Sequence, residues 1–141
     1  MSTAKGLGGG LPIGACLFGE KTENTLTPGT HGSTFGGSPA VCAGALSILG
    51  RIDEALLAQV RAKSEYLFST FEGKPGIEQV SGLGLMIGLK TAKPAAEVVA
   101  KCMEQGVLVL TAHGKVRLLP ALNIPMELVK KAAEVIIAAC A

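Results

Sequence analysis

Tryptophan is absent from the 141 residues, Tyr66 is the only tyrosine, and Asp53 is the only aspartate beside ten glutamates. No run of basic residues interleaved with aromatics occurs, and a net charge of +2 is too small to imply a polyanionic partner, so nucleic acid is not expected. No apolar stretch reaches the roughly 18–20 residues of a membrane span, and no basic segment followed by an apolar one marks a signal peptide. The four cysteines, Cys16, Cys42, Cys102 and Cys140, form no Cys-x-x-Cys pair and have no histidine at ligand spacing. No metal site is therefore expected. The thiols are read as free and buried, like small apolar side chains in a reducing, cytoplasmic setting.

Apolar residues make up 48% of the chain and charged ones 17%, the balance of a globular rather than a disordered protein. Glycine is concentrated in residues 1–37, in Gly6-Leu7-Gly8-Gly9-Gly10 and again from Gly29 to Gly37. Between these loops, Ile13 to Phe18 reads as a short buried strand. Ser38 followed by Pro39 signals a helix start, with the serine hydroxyl as cap. Apolar residues then recur at helical spacing to Phe71, with a break or bend at Gly50 and a restart at Asp53. Gly73-Lys74-Pro75-Gly76 ends the run.

Beyond it, strands are expected at Ile77–Val80, Leu83–Leu89, Val107–Leu110 and Val116–Leu119. Helices are expected at Ala95–Met103 and from Pro125 onward. Ala112-His113-Gly114-Lys115 reads as the tight turn of a hairpin. The fold class is α/β: a small sandwich of a few mostly antiparallel strands covered by helices. The expected organisation is a Gly-rich segment 1–37, long linking helices 38–72 and a small α/β domain 73–141.

Two near-motifs carry little. Gly14-x-x-x-x-Gly19-Glu20-Lys21-Thr22 misses the phosphate-loop spacing by one residue and puts a carboxylate where phosphate would sit. Gly82-Leu83-Gly84-Leu85-Met86-Ile87-Gly88 places its third glycine one position too late for a dinucleotide fingerprint. Lys5 is different. A lysine at the end of a strand, followed by glycines, suits an amine that must condense with a carbonyl and then swing free.

The segment Ala4-Lys5-Gly6-Leu7-Gly8-Gly9-Gly10-Leu11-Pro12-Ile13-Gly14 resembles the cofactor-lysine segment of the class III pyridoxal-phosphate-dependent aminotransferases. Pro28-Gly29-Thr30-His31-Gly32-Ser33-Thr34-Phe35-Gly36-Gly37-Ser38-Pro39 resembles the second signature of that family, in the wording of its acetylornithine branch, where Ser38 is usually Asn. Val80 to Gly88 and Val116-Arg117-Leu118-Leu119-Pro120 are similar to two later family segments, so the resemblance spans the chain in order.

The resemblance implies a C-terminal part of a fold-type I transferase, with residues 1–37 a remnant of the large cofactor-binding domain. It implies pyridoxal 5'-phosphate as cofactor and Lys5 as the lysine that bonds it and moves the substrate proton. Thr34, with Ser33, would reach the cofactor phosphate of the other subunit of a homodimer. Arg117 would grip the substrate α-carboxylate, as a guanidinium fork suits. Strand alternation agrees, since Val116 and Leu118 would face one side and Arg117 the other. Neither His31 nor His113 is given a role. At Ser81 the family often has arginine, a departure at a position given no catalytic part.

The reaction so implied transfers an amino group from N-acetylornithine, a small-molecule amino donor, to a 2-oxo acid, 2-oxoglutarate, in arginine biosynthesis. Ornithine, succinylornithine and 4-aminobutyrate are the neighbouring donors. The family's aspartate partner for the pyridine nitrogen and its ring-stacking aromatic have no counterpart here. Asp53 lies in an amphipathic helix and Tyr66 lies mid-helix. The chain is therefore expected to be a fragment, with Met1 an internal methionine, and to be inactive or nearly so alone. A reading of another class is a non-enzymatic module in which residues 38–141 fold and self-associate.

Overall fold

A computed structural model describes residues 1–141. The chain divides into two compact units, Met1–Asp53 and Glu54–Ala141. The first helix thus goes with the first unit and the second with the other, where the sequence reading grouped residues 38–72 together.

In the first unit a two-residue strand β1 (Ser2–Thr3) pairs antiparallel with β2 (Ala15–Cys16). The expected buried strand over Ile13–Phe18 is thus reduced to two exposed residues, because its only partner is equally short. Helix α1 (Pro39–Leu49) follows, with Pro39 at its first turn. Ser38 stands at the cap position, but its side chain makes no capping hydrogen bond; its carbonyl accepts the first helical bond from the Cys42 N–H at 2.9 Å.

The second unit is a four-stranded antiparallel sheet with helices on one face. Its elements are α2 (Glu54–Phe71), β3 (Ile77–Leu83), β4 (Met86–Thr91), α3 (Ala95–Glu104), β5 (Leu110–Ala112), β6 (Lys115–Leu118) and α4 (Met126–Cys140). The strand order is β3-β4-β6-β5. The three helices each carry a glutamate in the first turn, Glu54, Glu97 and Glu127, where negative charge complements the helix dipole. Their stripes at spacing three and four, Leu67 and Phe71, Val98 and Cys102, then Val129, Ala133, Ile136 and Cys140, are buried against Ile87, Leu89, Val116 and Leu118 of the sheet. Phe71, Ile87, Leu89, Val98 and Val116 are all fully buried, each worth about 1.5–3 kcal/mol of transfer free energy.

The start of β5 and its turn into β6 are both set locally. Helix α3 ends in a Schellman motif: Gly106 has φ 77°, its N–H bonds Met103 O, and the Val107 N–H bonds Cys102 O at 2.9 Å. That closure uses Val107, so β5 begins at Leu110 instead of Val107. The β5–β6 turn has positive φ at both His113 and Gly114, the type I′ pattern, and pairs Ala112 with Lys115.

Lys63 is buried in α2 and donates to Leu122 O at 2.9 Å, tying the segment after β6 to the helix. Cys102 and Cys140 are buried free thiols as expected; Cys16 is exposed, because its strand has no covering layer. Burial pushes both buried thiols up, Cys140 to about 11, with the neighbouring Cys102 adding to the shift and Lys93 opposing it. A thiol raised in the folded state from the ordinary 9.0 favours folding fully below pH 9 and loses that contribution as pH rises toward 11. Urea unfolding is expected to show about 2–3 kcal/mol less stability at the top of that window. Cys140→Ala should remove most of the slope, which separates the thiol from the lysines titrating nearby.

Candidate active site

Lys5 follows β1 by two residues and opens a single 3-10 turn, Lys5–Gly8. Its side chain is exposed while Gly8, at the other end of the turn, is buried. The turn is backed by α1. A Cβ on Gly44 would lie 3.3 Å from Gly8 O, so glycine in α1 lets the two backbones approach, while a Cβ on Gly8 would meet Ile13 Cγ2 at 2.9 Å. The Lys5 backbone has φ 58°. Among non-glycine residues only His113 shares a positive φ, and there the type I′ turn requires it. Lys5 is the second residue of the turn that the Leu7 N–H closes on Ala4 O at 3.2 Å, where a positive φ usually calls for glycine, and strain of this kind collects at functional sites.

Ser33 and Thr34 lie on the exposed segment just before α1. The Gly36 N–H bonds Ser33 O at 3.3 Å, and a Cβ on Gly36 would stand 2.9 Å from Ser33 Cβ, so glycine lets the turn close on the serine. The hydroxyls of Ser33 and Thr34 and the amides of residues 32–35 form the kind of donor set that suits a phosphate.

Arg117 sits on β6 between buried Val116 and Leu118, on the sheet face that carries no helix. Its row across the sheet is Ser81–Gly88–Arg117–Leu110. The Arg117 Nε is buried without a hydrogen-bond partner. A buried donor left unmade is costly, and a carboxylate laid against the guanidinium would satisfy it. Neither salt bridge of the chain, Arg61–Glu54 or Lys90–Glu78, involves Arg117.

The Lys5 turn and the Ser33–Thr34 turn thus belong to the first unit and Arg117 to the second. Sequence reasoning passed over Lys115, which shares the Arg117 face; alternation along β6 is the signal that marks it.

Residues 1–140 match the aminotransferase class-III family model. The chain belongs to the class III aminotransferases. It is 43% identical over 138 residues to acetylornithine aminotransferase of Haemophilus ducreyi, covering 96% of this chain and 35% of that protein. It is 40% identical over 137 residues to the enzyme of the same name from Clostridium acetobutylicum, covering 92% and 35% respectively. It therefore spans about a third of the length of these relatives. The structure of acetylornithine aminotransferase from Elizabethkingia anophelis superposes with a TM-score of 0.83 at 29% identity, over 98% of this chain and 37% of that one. The ornithine aminotransferase of Toxoplasma gondii, described with pyridoxal phosphate at its active site, gives 0.82 at 32% identity, over 99% and 36%.

Class III aminotransferases are pyridoxal-phosphate enzymes, and the residues present fit part of that group. A free amine on a strained turn and a hydroxyl-and-amide turn match its carbonyl and its phosphate. The pyridine ring has no match: Asp53 directly precedes α2, and Tyr66 of α2 packs against the core with Lys130 Nζ 5.8 Å from its ring centroid.

Proposed function

We propose that this chain is the C-terminal part of a cytoplasmic, homodimeric aminotransferase that passes the amino group of N-acetylornithine to 2-oxoglutarate in arginine biosynthesis. The identity to acetylornithine aminotransferases over nearly the whole chain supports this donor over ornithine, succinylornithine or 4-aminobutyrate. The positive φ at Lys5 carries the reading, because it sets apart the one lysine that the motif selects.

When bound, pyridoxal phosphate supplies an electron sink for the charge left at the substrate α-carbon. Lys5 Nζ would bond the cofactor carbonyl and, once the substrate amine displaces it, would be free to take up the proton that leaves the substrate α-carbon. Arg117 holds the α-carboxylate, and its orphaned Nε gains a partner in doing so. Ser33 and Thr34 with their turn amides hold the phosphate across the dimer. Residues outside this chain hold the pyridine ring, and the chain alone does not transaminate above the rate of free cofactor.

Mixing the chain with pyridoxal phosphate, reducing with borohydride and mapping the modified lysine by mass spectrometry tests the reading. Label is expected at Lys5 in preference to the other lysines. Label scattered over several lysines would favour a non-enzymatic self-associating module instead. That second reading draws on the open sheet face, where Leu83 is 88% and Leu110 59% exposed and Met86 is exposed beside them.

A further inference from the structure

The sheet face that carries Arg117 is unbalanced in charge. Lys90, Lys115 and Arg117 stand on it, and only Lys90 has a carboxylate partner, Glu78 at 2.8 Å. Lys115 belongs by register opposite Ala112, one pair removed from Arg117. Its ammonium does not stay there. Lys115 Nζ donates to Ser81 Oγ at 2.8 Å, two strands away, and Ser81 in turn donates to Gly88 O at 3.2 Å. Gly88 makes this reach possible. A Cβ there would stand 3.3 Å from Lys115 Cδ and 3.5 Å from Ser81 Oγ, in the path of the lysine stem.

The result is that the ammonium is pinned into the row Ser81–Gly88–Arg117. It spends one of its three donors on Ser81, leaving two, while the Arg117 Nε is buried and unpaired. Two like charges on one face, both with unspent donors and neither with a counter-ion, call for an anion.

We infer that Ser81 and Lys115 make this face a site for a dianionic ligand: Arg117 takes one carboxylate and Lys115 the second anionic group of a short dicarboxylate. The inference rests on Arg117 being the carboxylate grip proposed above. Ser81 acts as the positioning residue, and Lys115 sets the preference for two charges over one.

Titrating the full 141-residue chain with glutarate and with butyrate at low salt, followed by NMR shifts, tests this. Glutarate is expected to bind about tenfold tighter than butyrate. Lys115→Met is expected to bring that ratio to within about threefold while leaving butyrate unchanged, and Lys115→Arg to keep it. Ser81→Ala should weaken glutarate a few fold and spare butyrate. Urea midpoints near wild type show that the variants fold. A ratio still near tenfold in Lys115→Met, or a wild-type chain that binds neither ligand, overturns the inference. Arg117→Ala that keeps butyrate affinity removes instead the reading on which it rests.

Discussion

Lys5→Ala, placed in an enzyme of the relatives' full length, is expected to lower transamination by at least about 10²–10⁴-fold, the range a positioned proton-transfer group supplies. It should also abolish borohydride-trapped cofactor at that position. Lys5→Ala and Lys5→Gly remove the amine alike, so both should be inactive. They differ in the backbone. Alanine keeps the cost of φ 58°, about 1–2 kcal/mol for an L-residue, whereas glycine adopts it freely at an entropic cost of about 0.5–1 kcal/mol. Lys5→Gly is therefore expected to unfold at a higher urea midpoint than Lys5→Ala. Equal midpoints would mean that the turn relaxes without the side chain, and the strain argument for Lys5 fails. Activity of Lys5→Ala within tenfold of wild type would remove Lys5 from the chemistry altogether.

The second unit was legible because its signals are local and repeated. The stripes of α3 and α4 have one apolar face, and the structure buries that face: Val98 and Cys102, then Val129, Ala133 and Ile136. His113-Gly114 fixed both the β5–β6 turn and the register beyond it. The first unit was less legible, since Ile13 to Phe18 looks like a core strand in composition alone. Whether such a run is buried depends on a partner, and β1 offers two residues. The β5 boundary failed for a related reason. The competition between strand propensity at Val107–Val109 and the helix-closing bond from Val107 is decided by Gly106, whose φ no pattern of apolar residues reports.

The site shows the same division. Arg117 was singled out by the family resemblance, and alternation within one strand, which needs no tertiary information, agreed with it. The tether from Lys115 to Ser81 needs β3, β4 and β6 in register, and Gly88 beneath it, which are 34 residues apart at the extremes. Ser81 looked like a neutral departure from the family because the sequence alone cannot pair it with a lysine so far along the chain.

Gly82→Ala is expected to destabilise the second unit by about 3–5 kcal/mol, enough to leave a marginal domain largely unfolded. Two effects add. Gly82 has φ 142°, which a side chain rarely adopts, and a Cβ there would run into the carbonyl oxygen of Met86 and stand 3.0 Å from Ile87 Cα. The obstacle is backbone of the partner strand, so no rotamer change relieves it. Moving the strands apart breaks the pairs Gly82–Ile87 and Leu83–Met86, and with them the seating of Leu85, Ile87 and Leu89 in the core. Gly84, in the adjoining turn, supplies the control. It too has a positive φ, 59°, but a Cβ there meets only Val60 Cγ1 at 3.9 Å, so Gly84→Ala should lose only about 1 kcal/mol, from the backbone conformation alone. Urea unfolding of the two variants separates the terms. Similar losses in both would mean that the β3–β4 hairpin yields to the added methyl. Gly88, which pairs with Arg117 across β4 and β6, would then be held less firmly than the tether across it requires.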